Sequence, residues 1–236
     1  MRILMKVSGE ALKNGNNISS NMLEILIKDV KKLKKAGHEI IIVVGGGNFW
    51  RGRNDLDISS VVSDHVGMLA TVMNAISIND YFNNNNLMSS CYSAFACDGI
   101  VKKYHYQDVI GKLNQNEVII LGGGTGVPNF STDMITIEKA LELNADFILM
   151  AKNIDGIYDK DPKIDAAKKL KEITHEELFL NQIKQGVGSL GVIDFEAMAS
   201  LVKCKIPLYI YDAKDEKGID NFINNKPTGT FVITRL

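Results

Sequence analysis

The stretch EIIIVVGGGNFWRGR, Glu39 to Arg53, joins a run of branched apolar residues to three glycines, two aromatics and two arginines. Ile40 to Val44 is continuously β-branched and too short for a typical helix, which suits a strand buried on both faces of a parallel sheet. Gly45, Gly46 and Gly47 then remove every side chain where that strand ends. Backbone stripped in this way reaches positive φ and lets a ligand approach its N–H groups. In open α/β sheets, ligands bind beyond the carboxyl ends of the strands. Arg51 and Arg53 put fixed positive charge close by, and guanidinium forks suit phosphate oxygens. The segment points to an anion site, with a glycine-rich turn carrying solvated arginines as the plain alternative.

The same alternation runs outward in both directions. Arg2 to Val7 reads as a strand closed by Ser8-Gly9, and Ser19 or Ser20 can cap a helix reaching about Lys35, stopped by Gly37. Further helices are predicted from about Ser60 to Phe82, Tyr106 to Leu113, Thr132 or Asp133 to about Leu143, Thr174 to about Leu180, Asp194 to Lys203 and Ile219 to Ile223. In the Ser60 helix, Val66, Leu69, Ala70, Met73 and Ile76 recur at helical spacing. Strands are predicted at Leu87 to Ala94, Glu117 to Leu121, Ala145 to Met150, Pro207 to Tyr211 and Thr230 to Ile233. Such alternation argues for an α/β fold whose mainly parallel central sheet is covered on both faces. No linker or long-period repeat divides residues 1–236, which favours one domain.

Composition is that of an ordinary globular chain, 45% hydrophobic and 23% charged. A formal net charge of −1 gives no sign of a nucleic-acid or membrane surface. No segment has the pattern of a secretory signal, and no apolar run approaches a membrane span, so the expected location is cytoplasmic. Cys91, Cys97 and Cys204 lack C-x-x-C spacing and read as reduced thiols, and the histidines form no zinc motif.

Three strands end in glycine or small polar loops: KVSGEAL, GGGNFWRG and GGGTGVPNFSTD. In a parallel sheet these ends share one edge, so the loops converge. With Lys6, Arg51, Thr125, Ser131 and Thr132 attached, they suggest a site for more than one phosphate. Lys6 ends an apolar strand, so its ammonium must find solvent or an anion; a snorkelling lysine is the bland reading. Asp64, Asp133 and Asp194 each open a helix, where carboxylates are often simple caps or dipole partners. Their functional alternatives are sugar hydroxyls for Asp64 and orientation of Lys6 or Mg²⁺ for Asp133 and Asp194. Met68 and Met73 read as core or subunit contact. In AKNIDGIYDKDPK, Tyr158 could stack on a base and Asp161 could accept a ribose hydroxyl, or both belong to an ordinary β-turn. There is no P-loop motif, and GVGSLG (Gly186 to Gly191) lacks the preceding strand that a dinucleotide fingerprint needs.

KVSGEAL, GGGNFWRG, DHVGMLATVMN, GTGVPNFSTD, DGIYDKDP and VIDFEAM together resemble the bacterial uridylate (UMP) kinases of the amino acid kinase superfamily, in order, in spacing and over nearly the whole chain. The resemblance implies a three-layer α/β/α sandwich, with an acceptor half to about residue 145 and an ATP half from about 146. It implies Mg²⁺-ATP as donor, with the metal carried by ATP, and UMP as acceptor, in pyrimidine nucleotide biosynthesis. It also implies a homohexamer, commonly activated by GTP and inhibited by UTP. On the matching positions, Lys6, Val7, Ser8, Gly9, Gly47 and Arg51 would contact ATP phosphates, and Asn153, Tyr158 and Asp161 the adenosine. Gly46, Asp64 and the run Thr125, Gly126, Val127, Pro128, Asn129, Phe130, Ser131 and Thr132 would hold UMP. Lys6, Arg51, Asp133 and Asp194 would form the catalytic centre. The chain departs from the family pattern at MAKNIDG, one residue short, which leaves the register between Lys152 and Asn153 open. It departs also at Phe195, Glu196 and Ser131. The expected reaction is direct in-line transfer of the γ-phosphoryl of ATP to UMP, without a covalent intermediate. Rival readings are a carboxylate or carbamate kinase, a nucleotide-sensing regulatory module, and an NAD-binding oxidoreductase that lacks its fingerprint.

Overall fold

The computed structural model describes residues 1–236 except Asn16, 52–56, 161–166, 186–192 and Leu236. The expectations for Arg53, Asp161 and Gly186 to Gly191 lie outside the described residues. In chain order the elements are β1 (Arg2–Val7), β2 (Lys13–Asn14), β3 (Asn17–Ile18), α1 (Ser20–Lys35), β4 (Glu39–Val44), α2 (Ser60–Asn84), β5 (Ser89–Ser93) and β6 (Lys102–Lys103). There follow α3 (Tyr106–Asn114), β7 (Val118–Gly122), α4 (Thr132–Glu142), β8 (Phe147–Lys152), β9 (Ile157–Tyr158), β10 (Lys169–Leu170) and β11 (Glu172–Thr174). The last are α5 (His175–Gln185), α6 (Phe195–Cys204), β12 (Leu208–Asp212), α7 (Gly218–Ile223) and β13 (Thr230–Ile233).

Nine strands form the central sheet in the order β11-β13-β12-β8-β1-β4-β7-β5-β6. Only the β12–β13 pairing is antiparallel, so β1, β4, β7 and β8 all release their loops at one edge. β1 lies between β4 and β8, with Lys6 opposite Val43 on one side and Met150 on the other.

The two-residue period of a strand sorts the core into two halves. Ile3, Met5 and Val7 of β1 and Ile40, Ile42 and Val44 of β4 pack with α1, α2 and α7. Leu4 and Ile41, with Ile148 and Met150 of β8, pack with α3, α4, α5 and α6. The result is the expected three layers. Ser19 starts α1 by accepting the Met22 N–H at 3.3 Å, and Lys32, Lys34 and Lys35 oppose the dipole at its far end.

α2 is long and apolar enough to cross a membrane by length and composition alone. One side of it packs into the core: Ala75, Ile78 and Phe82 are fully buried, and the Asn74 amide donates to Gly45 O at 2.6 Å. The buried stripe differs from the one expected. Ala70 is buried, but Leu69 and Met73 are 50% and 49% exposed. Apolar and polar residues are spread around α2, so periodicity alone did not select a face. Thr71 and Asn74 turn inward because their polar groups bond the main chain of the glycine loops.

Candidate active site

The loops after β1 and β4 touch through bare main chain. A Cβ on Gly9 would lie 2.3 Å from Gly47 N, and one on Gly46 would lie 2.8 Å from Gly67 O of α2. These glycines serve close approach. Positive φ, which the sequence suggested for this loop, occurs instead after β7, at Gly123, Gly124 and Gly126. A reciprocal amide pair, Asn48 with Asn74 at 2.9 and 2.7 Å, pins the β4 loop to α2.

Two cavities open at this edge and share Gly46, Gly47 and Thr132 as walls. The one at β1, of about 390 Å³, is bounded by Lys6, Ser8, Gly9, Glu10, Gly45, Asp133, Lys152, Asn153 and Ile154 as well. Among the described residues, no group accepts from the N–H of Gly9 or Gly47. Lys6 and Lys152 both follow the alternation of their strands onto the α4 side, where Asp133 occupies the first helical turn. Asp133 bridges them: Lys6 Nζ is 2.9 Å from Oδ1 and Lys152 Nζ 3.0 Å from Oδ2. All three are buried, at 7%, 9% and 8% exposure for Lys6, Lys152 and Asp133. Burial opposes charge on Asp133, but the two ammonium groups prevail and hold its carboxyl at about 2. Burial and then Lys6 push the Lys152 ammonium down to about 8, against the pull of Asp133. Two cations and one anion leave the Lys6–Asp133–Lys152 cluster with surplus positive charge, which suits a phosphate, while Glu10 on the cavity wall is paired with Arg51.

Asp194 caps α6 by accepting the Ala197 N–H at 2.8 Å, and its own N–H donates to Asp133 Oδ2 at 3.3 Å. Ser131 caps α4 at the Met134 N–H and donates its hydroxyl to Asp194. Asp194 therefore steadies Asp133 from behind. Arg51 is paired with Glu10, which bounds the β1 cavity.

The second cavity, at α2, is about 230 Å³ and is lined further by Trp50, Ser63, Asp64, Gly67, Met68, Thr71, Gly124, Val127, Pro128, Asn129, Phe130, Ser131 and Ile135. Asp64 Oδ2 accepts the Asn129 N–H at 2.7 Å, which holds Asn129 in the left-handed region at φ 70°.

A model of the amino acid kinase family matches residues 1–212. The chain belongs to the amino acid kinase family. A uridylate kinase of Coxiella burnetii is 35% identical over 236 residues, covering 98% of this chain and 94% of that protein. A UMP kinase structure from Bacillus anthracis superposes with a TM-score of 0.90 at 26% identity, covering 98% of this chain and 95% of its own. Another, from Ureaplasma parvum, gives 0.88 at 30% identity, covering 99% and 98%.

Of the residues singled out in this amino acid kinase, Lys6, Ser8, Gly9, Gly47, Asp133 and Asn153 surround the β1 cavity. Gly46, Gly47 and Thr132 face both cavities, and Asp64, Val127, Pro128, Asn129, Phe130 and Ser131 face the one at α2. Four lie elsewhere. Val7 is strand core, its carbonyl taken by the Gly45 N–H at 2.9 Å. Thr125 closes a local turn onto Val127, and Gly126 packs on Ala94. Tyr158 donates to Asp155 at 3.0 Å, away from the cavity walls. Sequence reasoning held Lys152 only as a register alternative to Asn153 and gave it no part beside Asp133. The signal that singled out Lys6, a lysine ending an apolar strand, is present again in FILMAK.

Proposed function

We propose that this chain is a UMP kinase, a nucleoside monophosphate kinase that moves the γ-phosphoryl of ATP onto UMP to give UDP and ADP in pyrimidine nucleotide synthesis. The reading is supported by the likeness to uridylate kinases along nearly the whole chain. The observation that carries it is two cavities sharing a glycine wall, with Lys6, Lys152 and Asp133 beside that wall.

In this reading the larger β1 cavity takes ATP and the α2 cavity takes UMP, phosphates facing across Gly46, Gly47 and Thr132. The acceptor phosphate is already a nucleophile, so the protein's work is alignment and charge. Lys6 and Lys152 stabilise negative charge on the transferred group, and the N–H groups of Gly9 and Gly47 supply further donors. Asp133 fixes both ammonium groups without neutralising them. Arg51 exchanges Glu10 for phosphate oxygens when the donor enters. Asn153 and the residues after it hold the adenosine, and Asp64 accepts from the sugar of UMP.

Mg²⁺ arrives with the donor and neutralises phosphate charge when bound. The nearby carboxylates, Asp133 and Asp194, are engaged by lysines and by a helix cap, so the ion relies on the phosphate oxygens. One domain carries both halves, divided near residue 145. Assembly as a homohexamer is supported by the apolar face of α2, where Val62, Leu69 and Met73 stand half exposed on one side. Activation by GTP, inhibition by UTP and a cytoplasmic location complete the proposal.

The test offers Mg²⁺-ATP with UMP, CMP, AMP, GMP or carbamate in turn and measures ADP. Strong preference for UMP is expected. Turnover of carbamate, or no ADP with any acceptor, overturns the assignment.

A further inference from the structure

Ser63 occupies the first turn of α2 between two residues that are more exposed than itself. Val62 is 46% exposed, Ser63 6%. Trp50 lies over it, and the indole Nε1–H donates to Ser63 Oγ at 3.1 Å. The ring continues up the helix to Gly67, where a Cβ would stand 3.7 Å from Trp50 Cδ1. At its other end Trp50 is tied to the glycine loop, its N–H donating to Gly46 O at 3.0 Å. The residue after Ser63 is Asp64, which grips the Asn129 N–H across the cavity. Glycine loop, indole, helix start, carboxylate and the 125–131 loop thus form a belt around the α2 cavity.

The Ser63 N–H already donates to Ser59 O at 2.9 Å, so the indole bond caps no backbone group and instead ties the first turn sideways to the glycine loop. Ser59 caps Val62 N–H at 3.3 Å from an exposed position. The part-buried Trp50–Ser63 bond is the inner anchor. A phenyl ring would fill most of the same space and leave Ser63 Oγ without its donor.

We propose that Trp50 is a positioning residue for the acceptor. Through Ser63 it holds the first turn of α2, and with it the Asp64 carboxylate, in the geometry that binds the nucleoside monophosphate. The inference rests on reading the α2 cavity as the acceptor site. Trp50 is the single tryptophan of the chain, so its emission reports on this cavity alone.

The test measures UMP and a non-hydrolysable ATP analogue by calorimetry on the intact assembly of wild type, Trp50→Phe, Ser63→Ala and the double variant. Each single change should weaken UMP about threefold to tenfold, the worth of one net hydrogen bond. The double variant should lose no more than the worse single one, since both remove the same bond. The ATP analogue should bind all four alike, and UMP should shift wild-type tryptophan emission. UMP affinity unchanged in both single variants, losses that multiply in the double, or equal weakening of the ATP analogue overturns the proposal. Should Trp50→Phe fail to fold, Ser63→Ala decides by the same criteria. A wild type that binds no UMP refutes the acceptor reading and this inference together. A wild type that binds UMP while both variants match it refutes this inference alone.

Discussion

Lys152→Met keeps a side chain of similar reach and deletes the ammonium. Its effects on folding and on turnover should have opposite signs. The fall from 10.5 to about 8 means that the folded protein opposes the charge by roughly 3 kcal/mol. For a base held below its ordinary value, that cost is present in full below about pH 8 and fades as pH rises toward 10.5. At pH 7 the variant escapes the cost while Asp133 keeps Lys6 as its partner. Its ligand-free melting temperature should therefore match or exceed the wild type's, by several degrees at about 2–4 °C per kcal/mol for a chain of this size. Turnover should move the other way. One phosphate charge about 4 Å from an ammonium gains roughly 4 kcal/mol at an effective dielectric near 20, before desolvation. Losing most of that lowers kcat by about 10²-fold or more. Calorimetric melting without nucleotide and steady-state ADP release measure the two effects separately. Turnover within threefold of wild type, or a clear drop in melting temperature, would refute the reasoning.

The same group sets a pH limb: kcat/KM for ATP should decline above about pH 8, and Lys152→Arg should carry the decline to higher pH because guanidinium keeps its charge. A profile that stays flat into the alkaline range in wild type would contradict this. Asp64→Asn should raise the KM for UMP about tenfold and spare that for ATP, since the amide oxygen can still take the Asn129 N–H but serves a sugar hydroxyl less strongly. An unchanged KM would remove Asp64 from acceptor binding. Gly9→Ala drives a Cβ to 2.3 Å from Gly47 N and should cost about 1–3 kcal/mol or more in stability, with weakened ATP binding. Wild-type melting in that variant would show that the loops do not touch as described.

Much of this was legible in residue order. β1, β4 and β13 have the bounds read from their residues, because a short, largely apolar run suits a buried strand. The glycine loops could be read as converging because all three follow strands of one direction. What sequence could not supply was proximity. Lys152 and Asp133 are 19 residues apart, and only the seating of β8 beside β1 brings Lys152 and Lys6 to one carboxylate. Arg51 finds Glu10 across two loops, with no spacing rule to announce it. Thr125 reads as a ligand contact until its hydroxyl is seen closing its own turn. The short strands β2, β3, β9 and β10 are two residues each, below the length at which alternation means anything.

The meeting of the two bare loops also constrains how a gene for such a chain can drift. Any base change that replaces the glycine codon at position 9 with another amino acid installs a β-carbon. The atom it strikes is a main-chain nitrogen, which no rotamer change can move aside. A second mutation in the facing loop brings no relief, because backbone has nothing further to trim. In a deep mutational library selected for turnover, every surviving clone should carry glycine there.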